Sequence, residues 1–161
     1  PAWIGLTGIL IGNFIKLGTH PLAGWISDRV GRKPVFLAGA LGAAAMAYPF
    51  FVPLDTGTPL YIWIALVTMF TLCNDAMLAA QSGFMSELFD VRHRYTGVSV
   101  SREIPAALIG GTLPFVAVML TSASDGSFRL VALYSFVLLL LAALGMALLP
   151  ETRARATAPS E

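Results

Sequence analysis

The stretch Gly24-Trp25-Ile26-Ser27-Asp28-Arg29-Val30-Gly31-Arg32-Lys33-Pro34 joins two long apolar runs. It places one anion and three cations between and beside two glycines: Gly24, Asp28, Arg29, Gly31, Arg32 and Lys33. Glycine and charge together are typical of a tight turn in water. The stretch therefore predicts a point where the chain leaves a membrane and turns straight back.

Composition supports a membrane protein. Hydrophobic residues make up 57% of the chain and charged residues 12%, and the mean hydropathy is +0.77, whereas a soluble domain is about a quarter charged. Cys73 is the only cysteine, so no disulfide can form within the chain. The net charge of +1 points to no particular partner, and we expect no nucleic acid among the partners.

Hydropathy predicts an all-α integral membrane domain at 1–150 with five spans, at about 3–27, 34–53, 60–84, 98–122 and 128–149. Each span is long enough to cross about 30 Å of hydrocarbon as a helix. Turn residues mark the breaks, as in the polar turn at 53–59 and the charged loop at 85–97. Residues 151–161 are predicted to be a short polar tail.

Lysine and arginine are divided unequally between the two sides of the predicted membrane. One side holds Arg29, Arg32, Lys33, Arg92, Arg94, Arg153 and Arg155, and the other holds Arg129. The positive-inside rule places the first group in the cytoplasm. The C-terminus is then cytoplasmic and the N-terminus outside, so we expect a preceding helix and a larger protein.

Ionisable side chains lie deep in the first and third spans. Asn13, Lys16 and His20 share one helix face, and Asp75 lies at a similar depth in the third span. A charge at the centre of a membrane helix costs about 2.5–3.5 kcal/mol on insertion scales. A Lys16–Asp75 pair would lower that cost, either as a static structural pair or as part of a cavity that takes up protons.

Further polar groups extend this pattern. The third span carries a stripe of Thr68, Thr71, Asn74, Asp75, Gln81 and Ser82. The fourth span holds Arg102 and has Gly110, Gly111 and Pro114, which favour either an interrupted helix at a binding site or close helix packing. The second and fifth spans are uncharged or nearly so, and we expect them at the periphery.

Enzyme signatures are absent from the sequence. It has no phosphate loop, no nucleophile elbow and no histidine pair at metal-ligand spacing, since His20 and His93 lie far apart. We therefore expect no enzymatic activity, no cofactor and no metal.

The stretch 24–33 resembles the loop signature of the major facilitator superfamily, G-x-[LI]-[SA]-D-R-x-G-R-[KR], at every fixed position. This resemblance implies a gating loop, to which we assign the motif residues and two charges at the end of the third span: Gly24, Asp28, Arg29, Gly31, Arg32, Lys33, Glu87 and Arg94. We expect Arg29 or Arg32 to reach Glu87.

Other stretches resemble the metabolite:proton symporters of this superfamily, whose substrates include proline, betaine, citrate, 2-oxoglutarate and shikimate. The stretch Glu87-Leu88-Phe89 with Arg92 and Arg94 to Gly97 is similar to their E-L-F-P-T-x-x-R-Y-T-G, although Asp90-Val91 replaces Pro-Thr. Gly110 to Pro114 is similar to their G-G-x-x-P, and 150–152 to a final P-E-T. The resemblance implies helices eight to twelve of a twelve-helix transporter, within its C-terminal six-helix bundle.

The sequence thus predicts part of a proton-coupled secondary transporter in the inner (plasma) membrane. Its partners would be a small polar metabolite, protons, the lipid bilayer and the N-terminal half of the same transporter. The substrate or proton pathway is assigned to Asn13, Lys16, Asn74, Asp75, Gln81 and Arg102. The alternative is a non-transporting sensor or degenerate paralogue on the same scaffold.

Overall fold

The computed structural model describes residues 2–90 and 92–149, and these residues form helices without strands. We number the helices along the chain as α1 (Ala2–Val30), α2 (Arg32–Met46), α3 (Phe51–Thr56), α4 (Pro59–Leu88), α5 (Arg94–Ala123) and α6 (Arg129–Leu148). The predicted tail at 151–161 lies outside the described residues.

Three of these helices are long and apolar enough to cross a membrane: α4 with 30 residues, α5 with 30 and α6 with 20. The two remaining predicted spans fall on α1 and α2. Lys16 and His20 lower the hydropathy of α1. The 15 residues of α2 cover only about 22 Å at 1.5 Å per residue.

Several predicted boundaries were wrong because helices continue into the predicted loops. The polar turn at 53–59 is mostly helical, since α3 runs through it to Thr56, and the chain turns at Gly57, whose φ is 72°. The charged loop predicted at 85–97 shrinks to the connection between Leu88 and Arg94. Glu87 therefore lies on the last turn of α4.

Helix α2 supplies much of the buried core, contrary to the peripheral position expected for it. Its buried residues are Val35, Phe36, Gly39, Ala40, Ala43 and Ala44, and it packs against both α4 and α6. Small side chains allow this close approach, because membrane helices associate through backbone proximity and van der Waals contact. Ala40 and Ala80 are both fully buried in this core.

Helix α1 lies along α4. At one end the indole of Trp63 donates a hydrogen bond of 2.9 Å to the carbonyl of Ile4. A Cβ at Gly8 would lie 2.6 Å from Leu66 Cδ1, so this glycine allows the two helices to touch. The contact aligns the polar face of α1 with the middle of α4.

Two π-helical segments widen the longer helices. Residues Thr68–Asn74 form one in α4, ending directly before Asp75, and Ala106–Gly110 form the other in α5. In α5 the segment lies one turn before Pro114, which has no N–H for the carbonyl of Gly110. The interruption expected near Gly110 is thus a widening of a continuous helix. Such segments are frequent at functional sites.

Gly39 gives a direct test of the α2–α4 packing. A Cβ there would lie 3.0 Å from the backbone oxygen of Cys73 and 3.1 Å from Ala76 Cβ. We expect Gly39→Val to lower the free energy of unfolding by about 1–3 kcal/mol through overpacking. Unfolding in detergent should be compared with Gly145→Val, since a Cβ at Gly145 would meet nothing within 4 Å. Equal stability of the two variants would contradict this packing.

Candidate functional site

Asp75 is the centre of a cluster that joins α1 to α4. Its carboxylate oxygen Oδ1 lies 3.0 Å from Lys16 Nζ and 3.5 Å from His20 Nδ1. Its other oxygen, Oδ2, accepts a hydrogen bond of 2.9 Å from the hydroxyl of Thr19. We call Lys16, Thr19, His20 and Asp75 the Asp75 cluster. The predicted Lys16–Asp75 pair is confirmed.

The partners differ sharply in exposure. The Asp75 side chain is 1% exposed, whereas Lys16 is 30% and His20 is 46% exposed. Lys16 and His20 line an open groove of about 500 Å³ together with Asn13, Leu17 and Pro21. A solute in this groove would meet the side chains of Lys16 and His20 and not the buried carboxylate. The arrangement suits recognition of an anionic group.

Pro21, which also lines this groove, leaves one backbone carbonyl of α1 without its usual partner. Helix α1 continues through Pro21, which has no N–H to offer the carbonyl of Leu17 one turn earlier. That carbonyl is therefore free of its usual helical partner. The groove thus combines the amine of Lys16, the imidazole of His20 and the amide of Asn13.

The remaining predicted pathway residues lie elsewhere. Asn74 lines a separate, mainly apolar cavity of about 300 Å³ with Cys73 and Met77, because adjacent helical residues point about 100° apart. Gln81 is half-buried and Arg102 is exposed on α5. Among the described residues, no hydrogen bond or ion pair joins Gln81 or Arg102 to the Asp75 cluster. The predicted single polar stripe on α4 was therefore too broad.

Sequence reasoning found one further member of the cluster only in part and missed another. It placed His20 on the same helix face as Lys16, from their i, i+4 spacing, but did not assign it to the pathway. Thr19 had no such signal, because its neighbour Asp75 is 56 positions away in sequence. Among the described residues, no group of three or more His, Cys, Asp or Glu side chains is placed to hold a metal ion.

A second cluster forms at the charged turn. Arg32 Nε and Nη2 donate to Glu87 Oε1 at 3.2 and 3.1 Å, and Arg32 also pairs with Asp28. We call Asp28, Arg32 and Glu87 the Arg32 cluster. Burial alone would lower the pKa of Arg32, but its hydrogen bonds to Glu87 and Asp28 outweigh burial and raise that pKa. The expected link between an arginine of the turn and Glu87 is confirmed for Arg32.

Arg29 does not join this cluster. Its guanidinium lies over the ring of Trp25, 4.0 Å from the ring centroid. Gly31 has a φ of 123°, a left-handed conformation that favours glycine, and it connects α1 directly to α2. A Cβ at Gly24 would meet nothing within 4 Å, so packing in this chain does not require that glycine.

The other two basic residues of the predicted gating set bind backbone carbonyls. Lys33 Nζ donates to the carbonyls of Ala147 and Leu149 at 2.6 and 2.9 Å. Lysine at this position stabilises the end of α6, where free carbonyls carry partial negative charge. Arg94 Nε donates to the carbonyl of Phe89 at 3.4 Å and closes the connection between α4 and α5.

The Arg32–Glu87 contact can be measured by a double-mutant cycle with Arg32→Gln and Glu87→Gln. We expect a coupling energy of about 0.5–3 kcal/mol in unfolding experiments, since both side chains are largely buried and in contact. Arg29→Gln with Glu87→Gln is the matched control and should show additive effects. Additivity in the Arg32 cycle would show that the contact contributes nothing.

Comparison with known proteins gives a consistent result. The family model of the Major Facilitator Superfamily matches residues 4–161. The shikimate transporter of Escherichia coli is 28% identical over 146 residues, covering 91% of this chain and 33% of that protein. The ectoine/proline transporter ProP of Corynebacterium glutamicum is 33% identical over 96 residues, covering 60% of this chain and 19% of the relative.

A third relative extends the same group. The glycine betaine/proline/ectoine/pipecolic acid transporter OusA of Dickeya dadantii is 28% identical over 142 residues, covering 86% of this chain and 27% of that protein. The chain thus spans a third or less of the length of these three relatives. No solved structure matches the chain significantly.

The relatives are transporters and not enzymes, and they include shikimate and proline transporters, two of the kinds to which the sequence motifs are similar. The match of the family model covers almost the whole chain, and three of the helices are able to cross a membrane. This chain belongs to the major facilitator superfamily of membrane transporters.

Proposed function

We propose that this chain is part of a proton-coupled secondary transporter that moves a small polar metabolite carrying a carboxylate, either an organic acid or an osmolyte. The Lys16–Asp75 pair carries the proposal, because it combines a buried acid with a cation that faces an open groove. The shikimate transporter and the ectoine/proline transporter among its relatives support the substrate class.

The groove gives the chemical basis for substrate binding. A carboxylate entering it would meet Lys16 Nζ and the amide of Asn13, and a charge-assisted hydrogen bond to lysine is stronger than a neutral one. Asp75 would then lose its main counter-ion. Because an unpaired buried carboxylate is unfavourable, substrate binding at Lys16 would favour uptake of a proton by the cluster.

The Arg32 cluster is proposed as a gate. It ties the start of α2 to the end of α4 through Arg32 and Glu87. Asp75 and Glu87 lie on the same helix, twelve residues or about 18 Å apart along its axis. A shift of α4 that follows proton or substrate binding at Asp75 would therefore strain the Arg32–Glu87 contact at its end. Breaking and reforming that contact would accompany alternating access.

We also propose that the helices form part of a larger membrane protein. We place five spans in the inner (plasma) membrane, with α1 and α2 as the first two and the C-terminus in the cytoplasm. Further helices of a twelve-helix transporter would complete the structure. Helix α5 supports this, because none of its described side chains is buried and it exposes large apolar residues such as Leu108 and Phe115.

Asp75→Asn tests the coupling in the full-length transporter reconstituted in liposomes. We expect loss of uphill accumulation of shikimate or proline driven by a proton gradient, while exchange of labelled for unlabelled substrate continues. The reason is that asparagine keeps the shape of the side chain but removes its charge. Asp125→Asn is the matched control in an exposed turn, where the φ of 51° suits asparagine.

Unchanged uphill accumulation in Asp75→Asn would reject the role of Asp75 in proton coupling. Absence of transport of shikimate, proline and glycine betaine by the unaltered protein would reject the proposed function.

Lys16→Gln tests substrate contact. We expect KM for a carboxylate substrate to rise about tenfold or more, since a hydrogen bond to a charged group is worth about 1.5–3 kcal/mol. Membrane insertion should be retained. Arg129→Gln removes a positive charge at the start of α6 and serves as the control. An unaltered KM in Lys16→Gln would exclude Lys16 from the binding site.

A further inference from the structure

His20 faces the same carboxylate oxygen as Lys16. Its Nδ1 lies 3.5 Å from Asp75 Oδ1, and Lys16 Nζ lies 3.0 Å from that oxygen. The two side chains start one helical turn apart on α1 and converge on one atom of α4. Almost half of the imidazole surface is exposed in the groove.

The other charged groups near α1 are already engaged. Helix α2 also packs on α1, and its two cations bind at the charged turn: Arg32 contacts Glu87 and Asp28, and Lys33 contacts the end of α6. Among the described residues, the charged or protonatable side chains that contact Asp75 are thus Lys16 and His20. These two side chains can exchange places as its counter-ion.

We propose that His20 is the alternate counter-ion of Asp75, which holds the carboxylate when Lys16 turns to a monoanionic carboxylate substrate. The inference rests on the proposed function and adds to it a proton-binding residue and a stoichiometry. Thr19 keeps its hydrogen bond to Oδ2 throughout, so the carboxylate stays in place while the partner of Oδ1 changes.

Charge balance sets the stoichiometry. With His20 neutral, Lys16 and Asp75 cancel and the cluster carries no net charge. When a carboxylate binds Lys16, one proton from the medium binds the imidazole, and the resulting cation neutralises Asp75. The site with substrate is again neutral. Release of the substrate returns Lys16 to Asp75, and the imidazole gives its proton to the water on the other side.

By linkage, binding of the anion and binding of the proton must favour each other equally. Proton uptake on binding is therefore the decisive measurement. The purified full-length transporter is titrated with shikimate in weakly buffered detergent solution containing a pH indicator. We expect one proton taken up per shikimate bound by the unaltered protein.

Two variants separate the role of the imidazole from a merely structural one. His20→Gln should take up no proton and bind shikimate at least about tenfold more weakly, because Lys16 cannot leave Asp75 without a replacement. His20→Lys supplies a permanent cation. It should bind shikimate without proton uptake, keep substrate exchange and lose uphill accumulation. His93→Gln, an exposed residue before α5, is the matched control.

Retention of full proton uptake by His20→Gln would overturn the inference, as would an unaltered protein that binds shikimate without taking up a proton. Binding of proline but not shikimate would also overturn it, because the site would then not select a monoanion. The first and third of these outcomes leave the proposed transport function standing, and the second leaves substrate transport standing but removes its coupling to a proton at this cluster. That function fails separately, if Asp75→Asn keeps uphill accumulation or if the unaltered protein transports none of the three substrates.

Discussion

A carboxylate that is 1% exposed among apolar helices must be neutralised by its neighbours, and for Asp75 the neutralising cation is Lys16 of α1. Removing one partner of such a buried pair typically costs about 3–5 kcal/mol, because the remaining charge is left unpaired. The requirement fixes α1 along α4, since Lys16, Thr19 and His20 meet Asp75 only in one relative position. The position of α1 in turn determines where the charged turn lies.

Small residues make the second contact possible. Gly39 approaches the backbone of Cys73 closely, which brings α2 near enough to α4 for Arg32 to reach Glu87. Both clusters therefore include a carboxylate of α4, Asp75 in the middle of the helix and Glu87 near its end. Asp75 follows the π-helical segment of α4 and Glu87 lies in its last turn. A rearrangement at the widened segment would move the Leu88 end of α4 relative to α2.

The sequence predicted the helices, the position of the charged turn and both ion pairs. These features depend on local periodicity and on the cost of placing a single charge in the membrane, which a nearby opposite charge lowers. The core position of α2 could not be predicted in this way. Its alanines and glycines were interpreted as lipid-facing, although small residues also mark close helix contacts. The role of Thr19 and the π-helical segment before Asp75 depend on how α1 and α4 meet, and no local pattern encodes that. The prediction put Asn74 and Asp75 on one polar face of α4, although adjacent residues of a helix point about 100° apart.

Within the Asp75 cluster the acid is buried and its partners are exposed, and this difference determines which side chains a ligand could contact. A fully exposed ion pair contributes little, at most about 1 kcal/mol. An entering anion could therefore displace the acid from the cation at little cost, and the acid would have no need of a new partner. An ion pair in which both side chains are buried would be inaccessible to substrate and would serve only as a structural contact between the helices. Here the acid is buried while the lysine and the histidine reach the groove. In the proposed transporter, an entering carboxylate would compete for Lys16, and the cost of leaving the buried Asp75 unpaired would favour uptake of a proton.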